Sequence, residues 1–85
     1  MENKRLNVVW ERTALVGLGK LFNIDHEKVY KRSKYLLSDP AFHQTENVAD
    51  YPGFQYNGYF WAIINNVIVV YRIVDEENTV YVEAC

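Results

Sequence analysis

Hydrophobic and polar positions divide the chain into a helical half and a strand half. Between Tyr59 and Ala84 three apolar, β-branched and aromatic runs follow one another: YFWAII, VIVVYRIV and TVYVEA. Asn65-Asn66 separates the first two and Asp75-Glu76-Glu77-Asn78 the last two. Asn tolerates the left-handed backbone of a tight hairpin, so the spacing predicts an antiparallel meander. Along the middle run Val67, Val69, Tyr71 and Ile73 alternate with Ile68, Val70, Arg72 and Val74. A strand apolar on both faces is central and needs cover on each side.

Upstream the period changes. Leu6, Val8 and Trp10 alternate with Asn7 and Val9 and predict a first strand from Arg5 to Trp10. Ala14, Leu18, Leu21 and Phe22 follow helical spacing and predict the inner face of a helix from Arg12 to Phe22. Gly17 and Gly19 weaken that helix and permit close approach of a neighbour. Asp25 is placed to cap a second helix from His26 to Ser38, with Val29, Ser33, Leu36 and Leu37 inward. Pro40 ends it. The short link predicts an antiparallel helical hairpin. Residues 39–53 read as an irregular connection, with a short strand piece at Phe54–Asn57. The fold class is therefore α+β, β-α-α-β-β-β, the helices packed on one face of a mainly antiparallel sheet. They can cover only one face, so a partner or a second copy is expected on the other.

Composition narrows this picture. A chain of 85 residues reads as one domain, and it buries only roughly 60% of the surface its unfolded form exposes. The hydrophobic fraction of 49% suffices for a packed core and argues against disorder. A single cysteine, Cys85, excludes an internal disulfide and a cysteine-based metal site. No apolar segment follows the first residues as in a signal peptide, and no run is long enough to span a bilayer. A cytoplasmic location is expected. The net charge of −2 hides a division: residues 1–38 carry eight basic and four acidic side chains, residues 39–85 one and seven. A basic helix face at Lys28, Lys31, Arg32 and Lys34 is either a solvated surface or a nucleic-acid contact.

Several residues could carry chemistry. Arg72, the one cation of the strand half, either binds a phosphate or partner carboxylate, or pairs across strands with an acid such as Glu83. His43 and Glu46 are an acid–base pair or ordinary loop polarity. His26 reads as a first-turn surface residue. Two distant histidines leave no metal-ligand spacing, and Gly17 and Gly19 lack the pattern of a phosphate loop. Neither a metal nor another cofactor is expected. Tyr56, Tyr59, Phe60 and Trp61 pack in the core or anchor a partner. Tyr59, Trp61, Ile68, Val70, Arg72 and Tyr81 form the candidate partner surface, with Tyr81 and Glu83 sharing one face of an expected edge strand.

Trp10 and Ala14 stand as W-x-x-x-A, Leu37 and Pro40 as L-x-x-P, and Val70–Val74 as V-Y-R-I-V before an acidic turn and V-Y-V. In this order the chain from about Leu6 to Ala84 resembles the RelE/ParE family of type II toxin–antitoxin toxins. The resemblance implies a toxin whose working surface is masked by a cognate antitoxin. Members either cleave messenger RNA on the ribosome or poison DNA gyrase. Cleavage needs a proton acceptor, a proton donor and cations for the phosphorane, supplied in RelE-like members by Arg and Lys on central strands and by a basic or His-Tyr tail. Here Ile68 stands where the RNases often carry Arg, the strand Tyr59–Ile64 has no basic residue, and no such tail follows the last strand. The expectation is accordingly a ParE-like or attenuated toxin, inhibiting growth through gyrase or translation. The alternatives are a messenger-RNA endoribonuclease built on Arg72, His43 and Glu46, and a non-catalytic interaction domain. A homodimer is a further arrangement to test.

Overall fold

The computed structural model describes residues 5–85; Glu2 and Lys4 of the charge count lie outside them. The elements run β1 (Asn7–Trp10), α1 (Arg12–Gly19), α2 (His26–Leu37), a 3-10 turn (Pro40–Thr45), β2 (Asn47–Val48), β3 (Phe60–Ile64), β4 (Val67–Val74), a second 3-10 turn (Asp75–Glu77) and β5 (Thr79–Ala84). The sheet order is β1-β5-β4-β3-β2. β1 runs parallel to β5, and every other neighbouring pair is antiparallel. The expected α+β architecture is the one observed, with β2 as a two-residue addition.

Local chemistry explains most boundaries. Asn65 and Asn66 adopt φ of 50° and 67°, both left-handed, as a two-residue hairpin turn requires. Asn78 does the same at φ 53° before β5. The Asp25 carboxylate accepts from the Lys28 N–H at 3.1 Å, the N-cap that starts α2. Asp39 accepts from the Ala41 N–H at 3.0 Å and opens the turn that Pro40 begins.

The core lies between the helices and the inner sheet face. α1 rests on β5, and α2 rests on β3 and the first 3-10 turn. Val29 and Leu37 of α2 meet Ile64, Val69, Tyr71, Val80 and Val82 of the sheet, all fully buried. Each such aliphatic side chain contributes about 1.5–3 kcal/mol. Among polar groups, Ser33 is fully buried. Its Oγ accepts from Trp10 Nε1 at 2.9 Å and donates to the Tyr30 carbonyl at 2.7 Å.

The structure corrects the sequence reading in five places. α1 stops at Gly19, and Asn23 turns left-handed at φ 57°. Phe22 therefore leaves the helical stripe and is 91% exposed, while Leu21 and Ile24 pack against the core. Residues 54–57 form turns, and the additional strand is Asn47–Val48. Residues 39–53 are not structureless, since they contain the 3-10 turn and β2. His26 is half-buried, with Nε2 2.8 Å from the Leu21 carbonyl, so it closes the link between the helices. β5 is an interior strand, because β1 pairs along its outer side; the sheet edges are β1 and β2.

Candidate functional site

The sheet face away from the helices is built by the alternate residues of each strand. Cross-strand partners share a face, so Trp61 lies beside Val70, Ile63 beside Ile68, and Arg72 beside Tyr81. Ile63 and Ile68 are 62% and 57% exposed, whereas Val70 is buried at 6%. The outer face is thus covered in part by the chain itself. The loop 49–59 is closed by Ala49 N–H to the Tyr59 carbonyl at 2.7 Å and by Gly58 N–H to the Ala49 carbonyl at 3.0 Å. Asn57 braces it from within, accepting from the Tyr51 N–H at 2.8 Å and donating to the Tyr51 carbonyl at 2.6 Å. Tyr51 and Phe54 of this loop wall a groove of about 530 Å³ whose other side is formed by Trp61, Ile68 and Val70. Asp50 is the one charged residue lining it.

Beside the groove stands a polar cluster positioned by a register shift. Tyr71 pairs with Val82, but Val70 pairs with Ala84, so Glu83 is the extra residue of a bulge. A bulge re-aims a side chain. Here the Arg72 Nε donates to Glu83 Oε2 at 2.7 Å, and the Arg72 guanidinium carbon lies 4.4 Å from the centre of the Tyr81 ring. The Tyr81 hydroxyl donates to Glu77. The hydrogen bond to Glu83 holds the Arg72 guanidinium above its already high ordinary value. That to Glu77 pushes the Tyr81 phenol up. Arg72 is therefore a paired cation, the cross-strand ion pair weighed from the sequence.

His43 and Glu46 do come together, at 2.6 Å between Nδ1 and Oε2, but they lie on the other side of the sheet. His43 Nε2 faces the Leu37 carbonyl at 2.7 Å, and the Tyr71 hydroxyl donates to the same Glu46 oxygen at 2.9 Å. Burial, followed by this hydrogen bond and the Glu46 charge, pushes the Tyr71 phenol far up. Both side chains of the His43–Glu46 pair are largely buried. Tyr71 and Arg72 are consecutive on β4 and point to opposite faces, so the sheet separates Arg72 from His43 and Glu46. The three do not assemble one centre. Tyr71 went unnoticed from the sequence as the third member of the His43 network. Its buried hydroxyl needed a partner, and that need was the available signal.

The remaining candidates are dispersed. Tyr59 is half-buried just before β3, its ring 5.6 Å from that of Tyr56. Lys28, Lys31, Arg32 and Lys34 are exposed on α2, with Lys31 3.9 Å from Glu27. Among the described residues no three His, Cys, Asp or Glu side chains gather in a metal-holding group. No helix among them is long and apolar enough to cross a membrane.

No protein-family model matches the chain, and no curated protein matches it. Among solved structures, a chain in the crystal structure of the toxin–antitoxin complex RelBE2 from Mycobacterium tuberculosis superposes with a TM-score of 0.74. The match covers 98% of this chain and 91% of that one at 23% sequence identity. An agreement of this extent at so low an identity establishes the architecture alone: this chain shares the fold of that chain of the toxin–antitoxin complex.

Proposed function

We propose that the chain is the toxin of a type II toxin–antitoxin pair, neutralised by an antitoxin seated on the outer sheet face. In this reading it acts in the cytosol by docking to a protein target, as ParE-like toxins dock to gyrase, and not by cutting messenger RNA. The observation that carries the mechanism is the division of the polar groups. The outer face offers exposed Ile63 and Ile68 beside a groove, its one strand cation is occupied by Glu83, and His43 and Glu46 lie behind the sheet. Apolar surface of this kind fits a protein better than a phosphate chain. The antitoxin is supported by the fold shared with a chain of a toxin–antitoxin complex.

Induction in a bacterial host, with DNA and protein synthesis followed separately, tests the reading. Growth arrest with DNA damage and an early fall in DNA synthesis is expected, relieved by co-expression of a small reading frame beside the gene. Absence of toxicity would leave a non-catalytic interaction domain that keeps the toxin fold.

A prompt halt in translation would instead favour a second reading, for which one observation speaks. Glu83 and Arg72 touch at 2.7 Å on the outer face with Tyr81 against the guanidinium. The Glu83 carboxylate would accept the proton of an attacking ribose 2′-hydroxyl as the bond from phosphorus to the 5′-oxygen breaks and that oxygen takes a proton from solvent, with Arg72 neutralising the phosphorane. Glu83→Gln would then remove messenger-RNA cleavage while leaving the fold intact.

A further inference from the structure

The outer surface of α2 carries an arrangement that the sheet-face reading does not use. Tyr35 is 61% exposed and is approached by two guanidinium groups, Arg5 and Arg32, each with its central carbon 5.5 Å from the ring centroid. Arg5 is fixed there. Its Nη2 donates to the Tyr35 carbonyl at 2.9 Å and to Ser38 Oγ at 2.6 Å. Lys28 lies one turn before Arg32 on the same helix face. Among the described residues none of Arg5, Lys28 and Arg32 has a carboxylate at ion-pair distance, while Lys31 is engaged by Glu27.

We infer that this surface binds single-stranded nucleic acid, with one base stacked on Tyr35 and phosphates held by Arg5, Arg32 and Lys28. Two like charges held against one ring repel each other, and an anion between them removes that repulsion. Aromatic rings interleaved with unpaired cations form the platform on which single strands stack. A purely acidic peptide would use the cations and leave the exposed ring without a role. The acidic strand half repels phosphates and confines the strand to the α2 side. This surface is separate from the groove on the outer sheet face, so it stands whether or not that groove receives an antitoxin.

Fluorescence anisotropy of the purified full chain with labelled oligodeoxyuridylate and oligouridylate tests the inference, and the tighter of the two identifies the sugar preferred. With three phosphates neutralised, log K is expected to fall by about 2 per tenfold rise in salt. Arg32→Ala should lower that slope by about 0.7. Tyr35→Leu should weaken binding about tenfold, the size of one base stack, with little change in slope. Arg12→Ala, on α1, should bind as the parent does, and thermal melts confirm that each variant is folded. Failure to bind at low salt, or an affinity unchanged by Arg32→Ala or Tyr35→Leu, overturns the inference. So does equal affinity for poly-glutamate or for a blunt duplex, whose bases are not free to stack.

Discussion

Ser33 Oγ sits between the Trp10 indole, from which it accepts, and the Tyr30 carbonyl, to which it donates. Ser33→Ala leaves the indole N–H buried without a partner, which costs about 1–3 kcal/mol. Urea unfolding followed by tryptophan fluorescence measures it. Trp10→Phe in the Ser33→Ala background removes the orphaned donor and should recover part of that loss. At Tyr71 the folded-state phenol lies far above its unfolded value of about 10. The stability it provides is fully present below about pH 10 and is lost as pH rises through the folded value. Tyr71→Phe should therefore destabilise by about 1–3 kcal/mol at neutral pH. It should also flatten the decline in unfolding midpoint above pH 10. Tyr81, raised by Glu77, keeps some of that slope.

Among the elements, α1 shows how one helix can contain two glycines with different roles. A Cβ on Gly17 would stand 3.0 Å from the Cys85 carbonyl oxygen, and one on Gly19 would meet nothing within 4 Å. Cys85 Sγ also reaches the Ala14 carbonyl at 3.4 Å, so the chain after β5 rests on this helix. Gly19→Ala should stabilise by up to about 1 kcal/mol through helix propensity. Gly17→Ala gains the same propensity but loses it to the contact, and should leave the melting temperature unchanged or lowered. From the sequence both were noted as sites of possible close approach; the geometry assigns that role to Gly17. Phe22 was lost from the predicted stripe for a related reason. Two glycines near the end of α1 let the chain leave the helix, and periodicity beyond that point no longer describes a helix face.

At the scale of the whole molecule, the surface proposed for the antitoxin lies on the side of the sheet away from the core. Ile68 is 57% exposed beside the groove, away from the core that the helices cover. Ile68→Glu should shift the unfolding free energy by no more than about 0.5 kcal/mol. If the outer face receives an antitoxin as proposed, the same change should abolish its capture in co-purification. Val69→Ala, at a fully buried neighbour, should do the reverse, costing stability while the folded fraction still binds.

Apart from β2 and the 3-10 turns, the elements, the two faces of β4, the Asn65-Asn66 turn and the Asp25 cap are legible in the order of residues alone. These depend on side-chain periodicity and on backbone preferences within a few residues of one another. Folding in three dimensions sets β1 beside β5, joining Asn7 to Thr79 and making β5 interior. It also decides that a bulge turns Glu83 onto Arg72, that His43 and Glu46 meet Tyr71 behind the sheet, and that Arg5 reaches Tyr35 across thirty residues. Such contacts join groups far apart in the chain, so their partners are set by how whole faces pack and where every buried polar atom finds a mate.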